Sequence, residues 1–316
     1  PSIGPCISFD NSDILRMTVC FLSDCIVFFH EPAKSIVEPF IQKLVEFIIN
    51  EPANECVTDS IRAAALITCS NYITYANQDG EAEKCGTLLP VVLNAINSFL
   101  DLNSIELQTS ATQSIPAISD LLTNEQCSDF FKKLIELIET NTELTVIQDA
   151  ISCISCLVSK TGNEEMVGMS SKLLTDIITG KEVAFLNETP LIQIETSLSL
   201  FENICKLISA LISVNSPISQ QICEFLLEWI KRDSELDKIH AIGSLSDAIL
   251  YDAVQPEMCS AIVQRVVELI PNANDPGLQG NIIYLFNACI IKHSELIEPI
   301  MGVMPAFVSW WQIGKE

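Results

Sequence analysis

The stretch that decides the fold runs from Ser234 to Trp311: SELDKIHAIGSLSDAILYDAVQPEMCSAIVQRVVELIPNANDPGLQGNIIYLFNACIIKHSELIEPIMGVMPAFVSWW. Its apolar residues return at helical spacing. They divide it into two antiparallel pairs, Glu235–Tyr251 with Pro256–Ile270 and Asp275–His293 with Leu296–Trp311. Breakers stand at the joints: Gln255-Pro256, the run from Pro271 to Pro276, and Glu298-Pro299.

Each pair takes about 40 residues, and one such hairpin following another is the signature of a HEAT-type α-solenoid. The rest of the chain reads the same way. Helical segments bounded by Glu31-Pro32, Asn50-Glu51-Pro52, Asn77 to Gly80, Thr123 to Glu125, Thr161 to Asn163 and Asn215 to Pro217 give approximate repeats over 11–50, 54–102, 104–141, 143–188, 190–233, 235–272 and 275–316. Two positions stand out. Pro90 is expected to end or kink the first part of the helix Glu81–Leu102, and Pro190 to open a long helix over Leu191–Val214 after a loop at 180–189. The expected fold is all-α, an α-α superhelix of about seven antiparallel pairs, each burying an apolar face against its neighbours.

Composition agrees. The 316 residues are 48% apolar, with only 11 glycines and 14 prolines, which argues against disorder and against a turn-rich β fold. Forty-one acidic residues against 17 basic ones leave a net charge of −24. Duplex nucleic acid and anionic membranes, which are met by Lys and Arg, are poor partners for such a chain. A basic protein or peptide is the natural complement, although acidity also serves simply to keep an apolar-rich chain in solution. The 13 cysteines are odd in number. Cys20, Cys25, Cys69, Cys205, Cys223, Cys259 and Cys289 sit among aliphatic residues, as reduced thiols of a cytosolic or nuclear protein do. No 18-residue window lacks charged or strongly polar groups, so no membrane span is expected, and the opening residues lead to no expectation of a secretory leader. A start without Met suggests a portion of a longer protein.

Chemistry-bearing motifs are few. Cys153-Ile154-Ser155-Cys156 lies inside an apolar helix, away from the helix start that would activate a thiol, and has no second pair for zinc. His30 and His293 fall at helix ends, where an imidazole can meet free carbonyls, and His240 lies among apolar neighbours. No phosphate loop, dinucleotide fingerprint or nucleophile elbow is present, so no enzyme activity, cofactor or metal is expected.

The informative pattern lies on the second helices. Glu38, Gln42 and Glu46 recur at i, i+4, i+8, and Asn94, Asn97 and Asp101 at i, i+3, i+7. Asp129, Glu136 and Glu139 mark the third hairpin, Glu224, Glu228 and Trp229 the fifth, and Glu257, Gln264 and Glu268 the sixth. Second helices line the concave side of a HEAT solenoid. A ladder of this kind suits an extended basic cargo, with carboxylates for Lys and Arg, amides for the peptide backbone and Trp229 for cation–π contact. An ordinary solvated helix face predicts much the same residues.

Two segments carry a resemblance. Leu236–Met258 and Asp275–Trp311, with Asp247 and Asp275-Pro276 followed by Gln279, resemble late HEAT repeats of the importin-β (karyopherin-β) superfamily, most closely its importin-5 and importin-4 class. VTDSIRAAAL, ending at Leu66, resembles another repeat start of that family. The resemblance implies a nuclear transport receptor, moving between cytoplasm and nucleus. Such a protein carries cargo, engages Phe-Gly nucleoporins between outer helices and releases import cargo on binding the GTP form of the Ran GTPase. No counterpart of the family's Ran-binding amino-terminal arch is identified in the sequence, and a HEAT scaffold or regulatory subunit of another complex is the alternative. Trp310 and Trp311, closing the last helix, are expected to be covered by further chain or by a neighbour.

Overall fold

In the computed structural model, residues 6–8, 11–49, 56–194, 198–293 and 296–313 are described. The joint Asn50–Pro52 and most of the irregular lead-in expected over 1–10 lie outside them, as does the side chain of Trp311. Among the described residues there is no strand; the protein is all-α.

The helices are α1 (Ser12–Phe29), α2 (Glu31–Val37), α3 (Ile41–Ile49), α4 (Asp59–Gln78), α5 (Ala82–Leu100), α6 (Ile105–Ile118), α7 (Asn124–Thr140), α8 (Leu144–Thr161), α9 (Glu164–Thr179), α10 (Leu198–Ser213), α11 (Gln220–Trp229), α12 (Glu235–Leu250), α13 (Pro256–Val267), α14 (Pro276–Lys292), α15 (Ile297–Met301) and α16 (Met304–Ile313). Their starts follow from capping chemistry. Asn11, Asn163, Ser219, Ser234 and Asp275 each accept a backbone N–H of the first helical turn. Thr123 and Gln126 exchange reciprocal bonds at 3.2 and 2.9 Å, a capping box that opens α7.

The chain forms two compact units, residues 1–137 with 143–153, and residues 138–142 with 154–316. In the first, α1, α4 and α6 pack side by side, while α3 and α5 lie along α4. Close approach is allowed by Ala63, Ala64 and Ala65, all buried. Hydroxyls buried at this seam spend their hydrogen bonds on their own helix: Thr68 donates to the Ala64 carbonyl and Ser70 to that of Leu66. Thr74 reaches across to the Ala117 carbonyl at 2.6 Å. In the second unit α10, α12 and α14 form the corresponding row, and α11 packs on α9, α12 and α13. Within each unit, then, first helices stack on first helices and second on second, as α-α solenoids require.

Four boundaries differ from the sequence reading. Glu38–Phe40 is a turn of 3-10 helix around Pro39, dividing the expected helix Ala33–Ile49 into α2 and α3. α5 continues through Pro90, which forgoes one backbone bond without ending the helix. Of the long helix expected over Leu191–Val214, the described α10 covers Leu198–Ser213, while Leu191–Gln193 is instead a 3-10 turn and Ile194 is extended. There Arg232 donates to the carbonyls of Ile192 and Ile194 at 2.8 and 3.1 Å, occupying acceptors that a helix would use. The last helix is split into α15 and α16, because Pro305 has no N–H to give the Met301 carbonyl and its ring crowds that turn. α8 alone among the described helices is long and apolar enough to cross a membrane by those two measures, and half of it is buried inside the protein.

Candidate binding grooves on the second helices

In the first unit, the second helices α3 and α5 run alongside each other and leave an open groove between them. The α3 side presents Glu38, Ile41, Gln42, Val45, Ile48 and Ile49, one face at three- and four-residue spacing. The α5 side presents Lys84, Thr87, Leu88, Val91, Asn94 and Ser98 in the same way. Tyr72 and Arg62 of α4 supply the floor. The groove widens into two hollows that meet at Val91, one of 380 Å³ at the Glu38 end and one of 340 Å³ at the Ile49 end.

The Glu38 end is an ion network. Lys84 pairs with Glu38 across the mouth and with Glu81, the N-cap of its own helix, at 3.3 Å, and Lys34 pairs with Asp79 and with Glu81 at 3.1 Å. Hydrogen bonding to Glu38 raises the Lys84 pKa, and the bond from Lys34 lowers that of Glu81. Burial, with Glu38 adding to it, raises the Tyr72 phenol. The Ile49 end is chemically different. The Arg62 guanidinium lies 4.8 Å over the Phe99 ring, beside Asn94 and Ser98.

Of the ladder residues, Glu38, Gln42, Glu46, Asn94, Asn97, Asp101, Asp129 and Glu136 are exposed in the first unit. Glu139, Glu224, Glu228, Glu257, Gln264 and Glu268 are exposed in the second. The groove brings together Glu38, Gln42 and Asn94. Several carboxylates already face a cation of this chain: Glu38 with Lys84, Glu46 with Lys43 at 2.7 Å, Asp101 with Lys133 at 2.7 Å, Glu228 with Lys231 and Glu268 with Arg265. Lys133 also donates to the Asn97 carbonyl at 3.1 Å, tying α7 to α5.

Trp229 is a correction. Its side chain is fully buried, stacked on Phe201 at 4.2 Å and packed against Phe225 at 4.9 Å, and its remaining face carries Arg232 at 3.9 Å. An indole so enclosed holds the core together and offers no face to a partner's cation. His30 and His293 stand at the C-terminal caps of α1 and α14, the helix ends at which they are expected. There the His30 Nδ1 bonds the Tyr75 hydroxyl at 2.6 Å, and the His293 Nε2 lies 3.4 Å from the Cys259 sulfur. Cys153 is buried mid-helix in α8, and among the described residues the cysteines stand as thiols rather than as disulfides. No group of three potential metal ligands occurs among the described residues.

Sequence reading missed Arg62 and Phe99, which lie far apart in the chain, and two half-buried carboxylates between first helices. Asp149 accepts from Gln113 at 3.0 Å, and Asp247 from Ser209 at 3.4 Å and Tyr284 at 3.3 Å. Burial raises the pKa of both. A third open hollow, of 750 Å³ between α14 and α16, is lined by Ile283, Phe286, Ile290, Met304, Phe307 and Trp310 with a few polar groups. Trp310, half-buried, packs on Phe307 at 5.3 Å.

No protein-family model matches the chain, and no curated protein does. Solved structures do. They include the karyopherin Kap121p bound to the SUMO protease Ulp1p and Kap121p bound to Nup53p, each 15% identical with a TM-score of 0.48. Kap121p bound to Ste12p is 16% identical with a TM-score of 0.47. In each case the match covers 98% of this chain and 31% of the other, so the chain spans about a third of the length of these structures.

Proposed function

We propose that this chain is a HEAT-repeat portion of an importin-β-like nuclear transport receptor, of the importin-5 and importin-4 kind, and that its second helices bind basic segments of protein cargo. The repeats are those bounded at 11–50, 54–102, 104–141, 143–188, 190–233, 235–272 and 275–316. The observation that carries the reading is the exposure of acid and amide side chains on second helices within each unit, with Glu38, Gln42 and Asn94 gathered in the open groove of the first. The net charge of −24 adds long-range attraction for a Lys/Arg-rich segment. The sequence resemblance over 235–311 supplies the family, and with it Ran and Phe-Gly nucleoporins as partners and a cytoplasmic and nuclear location. No residue here is assigned to either partner.

The test is binding of a labelled Lys/Arg-rich peptide as salt is raised. Affinity falls with salt and falls again in E224K/E228K; indifference to both defeats the reading. A second reading, a HEAT scaffold in another complex, is favoured by the carboxylates that already pair within the chain, since ion pairs between neighbouring helices also serve rigidity alone. Ran loaded with GTP or GDP and mixed with the full-length protein separates the two.

A further inference from the structure

The groove between α3 and α5 reverses its chemistry along its length. At one end the ion network of Glu38, Glu81 and Asp79 with Lys84 and Lys34 keeps one carboxylate in excess, beside Gln42. At the other the charged group is a cation, Arg62, in a protein of net charge −24. The Arg62 side chain is 13% exposed, and its ion pair with Asp59 is long, 3.5 Å, and made through one terminal nitrogen. Its Nε is buried with no hydrogen-bond partner among the described residues. A buried guanidinium nitrogen without an acceptor is costly, so this side chain is poised to gain from an acceptor that enters. Asn94 and Ser98, one turn apart on α5, place an amide and a hydroxyl beside it.

We infer that the Ile49 end of the groove is a carboxylate subsite, taking the side chain of an Asp or Glu in an extended peptide segment of a partner protein. The inference rests on the reading of the second helices as a peptide-binding face, and it adds a sequence requirement to it. From Glu38 to Ile49 the chain advances about 17 Å along the helix axis. An extended peptide covers roughly 3.3 Å per residue, so the acidic residue lies about five positions from a basic one held at Glu38 and Gln42. Ile41, Val45 and Leu88 line the stretch between and suit aliphatic side chains. The recognised segment is bipolar, which a purely acidic face would not select.

The experiment uses the whole chain and fluorescein-labelled peptides with Lys at one end, an aliphatic centre and Glu about five residues on, in both chain orders, each beside its Gln counterpart. In the better order the Glu peptide binds roughly tenfold more tightly than the Gln peptide, the worth of one charge-assisted pair. R62Q removes that difference and leaves the salt-sensitive attraction for Lys. N94D, at an exposed position, sets a carboxylate beside Arg62 and reverses the preference without touching the core. Equal binding of the Glu and Gln peptides in both orders overturns the subsite, as does a preference that survives both R62Q and N94D. If Lys-bearing peptides fail to bind, or bind without salt dependence, the peptide-binding reading falls and the subsite with it. If they bind with salt dependence and Glu adds nothing, the subsite alone falls.

Discussion

The indole of Trp229 is held between Phe201 and the guanidinium of Arg232, and its exposure is nil. Replacing it by Ala leaves a void the size of two rings. W229A is expected to cost about 3–5 kcal/mol, read as a lower urea midpoint, whereas E228A on the solvent side stays within about 0.5 kcal/mol. Spacing already held the answer: Ile222, Phe225, Leu226 and Trp229 share one face of α11, and Glu224 and Glu228 the other. Residue type, an aromatic beside two acids, suggested the wrong face. Asp247 gives a test in pH. Burial lifts its carboxyl above the ordinary 3.8, while the Ser209 and Tyr284 hydroxyls pull it back. A raised value in the folded state means that the folded protein holds this proton more tightly than the unfolded chain. The resulting stability is complete below 3.8 and is lost as pH rises through the folded value. D247N, neutral throughout, is therefore expected to exceed the wild type in urea midpoint most at neutral pH, with the gap closing as pH falls through the carboxylate range. A gap that widens on acidification would show that the ionised form is the favoured one.

At the scale of elements, helix existence was legible and interruptions were not. α9 has the bounds its sequence implies, because Asn163 caps one end and Gly180, at φ 75°, closes the other in the left-handed region that suits glycine. The start of α10 was misjudged because its obstacle is tertiary: Arg232, 40 residues away from Ile192, takes the carbonyl there. R232M keeps much of the bulk over Trp229 and loses those two bonds. Amides of the turn Leu191–Gln193 are expected to exchange at least tenfold faster in R232M, a rise that corresponds to the loss of about 1.4 kcal/mol of local protection. Those in α12 keep their wild-type rates. Equal acceleration in both segments would mean that Arg232 supports the fold at large. The break between α15 and α16 has a local cause, Pro305, and was readable from the sequence in principle.

At the scale of the whole molecule, composition told more than any motif. The aliphatic setting of the cysteines implied buried, reduced thiols. The structure leaves four of them, Cys6, Cys20, Cys56 and Cys156, partly accessible, and buries the rest. Burial pushes Cys69, Cys205, Cys223 and Cys289 up to about 12, far from the thiolate that reacts. A disulfide reagent added to the native protein is expected to titrate no more than those four quickly, and all 13 once denaturant is added. Fast reaction of the buried set would mean that the helices part readily. The groove and its reversal of charge could not be read from the chain, since Arg62, Asn94 and Phe99 meet only when three helices pack. The division into two units also has an optical consequence. Trp229, Trp310 and Trp311 all belong to the second, while the first contains only Tyr72 and Tyr75 as phenols and no indole. Indole emission therefore follows the melting of one unit and is blind to the other, whereas far-ultraviolet circular dichroism sums both. The separation between the two traces measures how strongly the halves of this chain unfold as one.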